Sequence, residues 1–313
     1  RPVLLKIVPQ SVLSSVKESI VRRNTDRLKN ANIIPYDRTY REGINLIGNI
    51  RAETGLGQST RLIADILEAS GEEYVLHDFF VPPGPSMNDH THDDKITDEL
   101  PYDINIFHIN ASEFTLAFMN MGQNVWDHRY NIAYWLWELE EFPEEWLGCI
   151  DLVDEIWTPA DFITNTLKKY TDKPVMTLPY CVEAPVSEEF DRAYFGLPDD
   201  KFLFLMMFAS GSIMERKNPD SVFEAYKRAF GTDNDNAGIV VKINEYSDED
   251  ITYVRKALSG YRNVYILSDT LTKVQVNSLI KAVDVFVSLH RAEGFGLVLA
   301  EAMLNGTPTI ATN

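Results

Sequence analysis

Two successive runs of strand–helix alternation constrain this chain more than any other feature of its sequence. The first begins at Gly43–Ile50 (GINLIGNI), a short apolar run suited to a buried strand. A loop over Arg51–Gly57 and helical periodicity over Ser59–Ser70 follow. Further strand-like runs fall at Tyr74–Phe79, Asp103–Ile109, Tyr130–Trp137, Glu155–Thr158 and Pro174–Leu178, with helical stretches near 143–151 and 160–169. An acidic, turn-rich segment over 185–198 (PVSEEFDRAYFGLP) breaks the rhythm and reads as an interdomain connection. Strands at Lys201–Phe208, Ala237–Ile243, Asn263–Leu267, Val285–Leu289 and Pro308–Thr312 then alternate with helices at Pro219–Phe230, Asp248–Leu258, Val274–Ala282 and Leu297–Leu304. Apolar strands separated by helices specify parallel sheets covered on both faces, since one parallel strand reaches the next only through a crossover. The expected class is α/β, with two Rossmann-like doubly wound domains facing a cleft and ligands at the carboxyl ends of strands. The order stops just after a strand, so the carboxyl-terminal domain is expected to be incomplete in this chain, and the polypeptide to carry upstream or downstream domains.

Charge excludes some partners. The formal net charge is −18, yet residues 1–30 hold seven Lys or Arg against two Asp or Glu. The rest is strongly acidic and repels nucleic acid, so an anionic ligand must be held by local donors. Residues 10–30 place Val12, Val16, Ile20 and Val21 near helical spacing among basic residues, as in a basic amphipathic helix. Such a helix either packs on a neighbouring domain or rests on a membrane surface or partner. No apolar run approaches the ~20 residues that span a bilayer, and no export signal is visible. Cys149 and Cys181 are isolated, which suits a reducing cytoplasm, whether free or at the inner face of the membrane.

Chemistry concentrates between Val285 and Asn313. The strand VFVSL runs into His290-Arg291-Ala292-Glu293, then Gly294-Phe295-Gly296, then a helix closed by Gly306 and Pro308. Glycines let backbone amides approach a ligand, and a helix amino terminus favours anions. Glu293 and Glu301 bracket this turn, and carboxylates suit vicinal hydroxyls because each oxygen accepts a charge-assisted hydrogen bond. The string EGFGLVLAEAMLNGTPTIATN resembles the E-x7-E motif of the family 4 retaining glycosyltransferases, and Ser288-Leu289-His290-Arg291 resembles their bacterial polysaccharide-assembly branch. The resemblance implies the GT-B fold. It also implies that Glu293 contacts the transferred sugar, that Gly294, Phe295, Gly296 and Leu297 line the donor pocket, and that Glu301 binds the nucleotide ribose.

A second loop, 210–219 (SGSIMERKNP), stands where the family supplies an Arg and a Lys to the donor diphosphate. Lys217 matches the Lys. Ser212 occupies the usual Arg position, and the neighbouring Arg216 either substitutes for it or is a solvated helix-entry residue. In the first half, Glu53-Thr54-Gly55-Leu56-Gly57 resembles the family's glycine-rich strand-to-helix loop, which places Gly55 and Gly57 near the donor phosphate. His108 lies where many members begin H-x-H, and Asn110 replaces the second histidine. Both are carried as catalytic candidates, against the plainer reading of His108 as a core residue. Trp137 and Glu138, within YWLWELEEFP, resemble acceptor-binding residues, against a reading as core aromatics and an acidic turn. His90-Thr91-His92-Asp93-Asp94 has metal-ligand residue types but reads as a solvated loop.

The expected division is a basic helical lead-in over 1–42 and a linker over 185–198, between which the resemblance implies an acceptor-side domain over 43–184, with a truncated donor-binding domain over 199–313. The expected activity moves a hexose from a nucleoside-diphosphate sugar to a glycan or glycolipid acceptor in cell-surface polysaccharide synthesis, with anomeric retention, no metal and no cofactor. Ser212 and Asn110 motivate the alternative, a non-catalytic nucleotide-sugar or glycan-binding module of a larger glycosyltransferase.

Overall fold

The computed structural model describes Leu28 and residues 31–80, 86–209, 214–244 and 247–312. The basic helix expected over 10–30 therefore lies outside the described residues apart from Leu28. The chain falls into two compact units, Arg1–Cys181 and Val182–Asn313.

The first unit is one parallel sheet of six strands: β1 (Arg41–Gly48), β2 (Tyr74–Asp78), β3 (Tyr102–His108), β4 (Tyr130–Tyr134), β5 (Glu155–Thr158) and β6 (Val175–Thr177). Their order across the sheet is β2-β1-β3-β4-β5-β6. Helices α1 (Gly55–Ser70), α2 (Ala111–Met121) and α3 (Asp161–Leu167) and a 3-10 stretch over Glu144–Leu152 make the crossovers. One face is dominated by aromatic packing, with Phe107 stacked on Trp126 at 4.6 Å and both fully buried. The same face carries a polar device, two residues earlier on each strand. Asn45, Asn105 and Asn131 share one register across β1, β3 and β4. Asn45 Nδ2 donates to Asn105 Oδ1 at 2.9 Å, and Asn105 Nδ2 donates to Asn131 Oδ1 at 2.9 Å. All three are buried, and a one-residue slip would strand their amides without partners.

The second unit is a parallel sheet of five strands: β7 (Phe202–Ala209), β8 (Ala237–Asn244), β9 (Val264–Leu267), β10 (Val285–Ser288) and β11 (Thr309–Ala311), ordered β11-β10-β7-β8-β9. Its helices are α4 (Met214–Lys217), α5 (Pro219–Ala229), α6 (Asp248–Ala257), α7 (Lys273–Ala282) and α8 (Leu297–Leu304). Alternate residues of each strand feed two cores. Met206, Val241 and Val287 pack with Phe223 and Val254 on one face. Leu205, Val240 and Phe286 pack with Leu279, Ile280 and Ala302 on the other. Strands β7 and β8 pair through eight residues, whereas β7 and β10 pair only at Val285–Phe204 and Phe286–Leu205.

Segment 185–198, expected as a linker, is part of this second unit. Phe195 and Leu197 are buried in its core, the Ser187 amide donates to Ser278 Oγ at 3.0 Å, and the Arg192 guanidinium donates to Asp284 Oδ2 at 2.8 Å. Its acidic, turn-rich composition describes its solvent side only; Phe190 and Phe195 face the core, and the exposed Tyr194 ring packs edge-on against both.

Candidate functional site

Sheet order decides which loops meet. β7 and β10 are neighbours, yet the chain leaves them in opposite directions, β7 toward β8 and β10 toward β11. Loops leaving the carboxyl ends of such a pair diverge and leave a crevice between them, the usual ligand position in open α/β sheets. After β7 the chain passes residues 210–213, outside the described residues together with Ser212, and forms the single turn α4. Asn218 follows with φ 52°, a left-handed conformation that redirects the chain into Pro219, the first residue of α5. Asn218 Nδ2 donates to the Leu289 carbonyl at 2.8 Å, and Asn218 Oδ1 accepts from Ser221 Oγ at 2.9 Å. The Arg291 amide donates to the Arg216 carbonyl at 2.9 Å. The two loops are thus joined through backbone.

Their side chains converge. Lys217 Nζ donates to Glu293 Oε2 at 2.6 Å, and an Arg216 guanidinium nitrogen lies 3.4 Å from the same oxygen. Lys217 and Glu293 are 24% and 21% exposed, partly shielded yet open to a ligand. Between Glu293 and α8, Gly294 is buried and Gly296 sits at φ 83° as the residue before the helix. A side chain at 296 would be strained at that φ and would press on Leu299 at 3.2 Å. Phe295 and Leu297 are half-buried.

Glu301 points elsewhere, from the second turn of α8 toward α7. Its side chain is 2% exposed, its Oε1 accepts from Lys273 Nζ, and its Oε2 has no hydrogen-bond partner among the described residues. Burial raises its pKa above the usual carboxylate range, and the Lys273 ammonium works against that shift. Sequence reasoning alone does not find Lys273. A lone lysine carries no signal, but Thr272-x-x-Gln275 is a capping-box pattern that marks a helix start at Lys273, and both capping bonds form. A pocket of about 210 Å³ adjoins this helix start, lined by Tyr194, Leu267, Asp269, Thr270, Leu271 and Gln275. Lys217, Glu293 and Glu301 are not among its walls, so the cation–carboxylate cluster and the concavity are separate features of this unit.

In the first unit, Thr54 caps α1, its Oγ1 accepting from the Gly57 amide at 3.1 Å. Gly57 is needed for close backbone packing: a Cβ there would stand 2.0 Å from the Ala52 carbonyl oxygen. Gly55 faces open space, with nothing within 4 Å of where its Cβ would stand. Asn110 lies just before α2 without capping it, and its Oδ1 accepts from the Leu136 amide at 3.2 Å. Trp137 is half-buried, its Nε1 donating to the Glu141 carbonyl at 2.8 Å and its ring meeting Trp146 edge-on at 5.0 Å. Glu138 is half-buried beside it. Trp137 thus packs against the aromatic core. The loop His90–Asp94 is held by side-chain contacts, His90 to Asp93 at 2.9 Å and His92 to Asp65 at 3.4 Å. Among the described residues no group of three or more His, Cys, Asp or Glu could hold a metal ion.

His108, carried as a catalytic candidate, sits where a core residue would. It is fully buried, stacked on Tyr134 at 5.0 Å, and both ring nitrogens are engaged. The Thr60 hydroxyl donates to the Leu56 carbonyl, so His108 Nδ1–H donates to Thr60 Oγ1 at 3.0 Å while Nε2 accepts from the Tyr180 hydroxyl at 3.0 Å. Burial pushes its pKa down to about 4. The folded chain thus keeps His108 neutral while the unfolded chain takes up a proton below about pH 6.5. Stability present above that pH is expected to fall by up to about 3 kcal/mol as pH drops to 4. Urea denaturation across this range checks it, and His108→Gln should flatten the slope by a similar amount.

Residues 187–313 match the family described as glycosyl transferases group 1. No curated protein matches the chain in sequence. Among solved structures, HepE from Anabaena in complex with UDP and glucose aligns at TM-score 0.63 and 12% identity, over 86% of this chain and 80% of that one. Sucrose-phosphate synthase from Thermosynechococcus elongatus aligns at 0.65 and 16%, over 87% and 81%. The lipopolysaccharide outer core galactosyltransferase WaaB aligns at 0.57 and 17%, over 86% and 80%. These likenesses establish the fold, which is GT-B. No helix among the described residues is long and apolar enough to cross a membrane.

Proposed function

We propose that the chain is a retaining glycosyltransferase that moves a hexose from a nucleoside-diphosphate sugar to a glycan or glycolipid acceptor, in the assembly of a cell-surface polysaccharide. The observation that carries this reading is the convergence of Lys217 and Arg216 on Glu293, where the loops after β7 and β10 are joined. Breaking the bond between the sugar C1 and the diphosphate leaves negative charge on phosphate oxygen, and a nearby ammonium lowers that barrier. Glu293 supplies acceptors for sugar hydroxyls, and Glu301, with one oxygen unspent, suits the nucleotide ribose. The family match over 187–313 and the UDP and glucose held by HepE support a nucleotide-sugar donor. The step that suits these groups is front-face substitution: the acceptor oxygen attacks as the leaving phosphate departs on the same side, and its proton passes to that phosphate. The acceptor roles of Trp137 and Glu138 and the donor roles of Gly55 and Gly57 have less support, since Trp137 and Gly57 are engaged in packing.

A thermal-shift screen of nucleoside-diphosphate sugars tests the reading. One donor is expected to stand out, stabilising the chain by about 2.7 kcal/mol at a hundredfold excess over Kd. With that donor and an acceptor extract, the product should keep the donor's anomeric configuration by NMR. Inverted product would remove the retaining assignment; no shift with any donor and no product would remove the transferase.

A further inference from the structure

The start of α7 is fastened more firmly than a helix of its length requires. The Thr272 hydroxyl accepts from the Gln275 amide at 3.3 Å, and the Gln275 side chain accepts from the Thr272 amide at 2.8 Å. The same Gln275 side chain donates to the Tyr194 hydroxyl at 2.7 Å, tying the helix start to segment 185–198. These contacts fix Lys273 as the first helical residue. A lysine there is unfavourable for the helix itself, because its charge meets the positive end of the helix dipole. What it gains is Glu301: the Lys273 ammonium reaches Oε1 of a carboxylate that is 2% exposed. Oε2 of that carboxylate has no partner among the described residues, although a buried polar oxygen left unpaired is costly.

We propose that Lys273 is a positioning residue for recognition of the nucleotide ribose, clamping one oxygen of Glu301 so that the other is presented to the ribose hydroxyls. This rests on the nucleotide-sugar reading above and adds to it the residue that makes Glu301 an ionised, oriented acceptor. A buried carboxylate without a neighbouring cation reverts to the neutral acid, which loses its charge-assisted acceptor strength. Lysine suits the task because it donates from a compact charge at the end of a long stem and leaves the rest of the carboxylate free.

Calorimetry on the intact chain tests this with UDP, GDP, ADP and CDP as probes, followed by the 2′-deoxy form of whichever binds best. The wild type is expected to prefer the ribonucleotide by roughly tenfold, the scale of one charge-assisted hydrogen bond. Lys273→Met should lose about that factor for the ribonucleotide and little for the deoxynucleotide, so the preference disappears. Lys273→Arg should restore it. In a Glu301→Gln background Lys273→Met should have no further effect, a result that a purely structural lysine would not give. If Lys273→Met does not fold, Lys273→Gln with the same readings decides. Equal ribose preference in wild type and in the folded neutral variant overturns the inference alone. Failure of the wild type to bind any of the four diphosphates overturns the nucleotide-sugar reading, and this inference with it.

Discussion

Glu293→Gln is expected to lower sugar transfer by about two to three orders of magnitude while leaving the fold intact, and Lys217→Ala to do the same; losing one preorganised group at developing charge typically has that effect. Gln keeps the shape of Glu293 but removes the charge that meets Lys217 at 2.6 Å and Arg216 at 3.4 Å. Because the pair is about a quarter exposed, its contribution to stability should stay within roughly 1 kcal/mol, so melting should barely move. Lys217→Ala is expected to act mainly on kcat, since the ammonium is needed most as the phosphate departs. The two side chains touch, so the double variant should lose less than the product of the single losses. Steady-state donor hydrolysis and transfer, with melting curves in parallel, give all four numbers. Wild-type turnover in both single variants, with unchanged melting, would remove these residues from the chemistry.

The second large effect is on folding. Gly57→Ala should destabilise the first unit by on the order of 3 kcal/mol or more, at the upper end of overpacking costs. The added methyl carbon would lie 2.0 Å from the Ala52 carbonyl oxygen, 2.9 Å from its carbon and 3.0 Å from the Asn49 carbonyl oxygen. All three are backbone atoms and none can rotate away. Thr54 would lose its capping geometry in the same movement, because its hydroxyl accepts from the Gly57 amide. Gly55→Ala is the matched control: nothing lies within 4 Å, so stability should hold or rise by up to about 1 kcal/mol. Denaturant midpoints compare the two directly. A Gly57→Ala chain as stable as Gly55→Ala would show that the close approach to Ala52 is not what requires a glycine at position 57.

The strands were legible because most are short apolar runs ended by a glycine, a proline or an acidic turn. Glu155–Thr158 and Leu297–Leu304 fall where the pattern put them. Helix α2 was not legible, since its apolar residues (ASEFTLAFMNM) surround the axis and leave little one-sided periodicity. Within the site, Glu293, Gly296 and Lys217 could be found because the E-x7-E string and the loop 210–219 resemble the donor loops of a known family. Lys273 could not, because its meaning lies in a buried partner twenty-eight positions away. The asparagine ladder is a middle case. INLIG, INIFH and YNIAY each set an asparagine among apolar neighbours, but only pairing reveals that the three fall in one register.

The thin pairing of β7 with β10 bears on how the second unit would breathe. Two rungs join a three-stranded piece that carries Lys217 to a two-stranded piece that carries Glu293 and Glu301. Most of the adhesion between these pieces comes from oily side chains such as Leu205, Phe286 and Ala302, and such contacts hold without prescribing direction. A molecule that grips the lysine of one and the carboxylates of the other acts as a clasp across the seam, tightening the sheet that holds it.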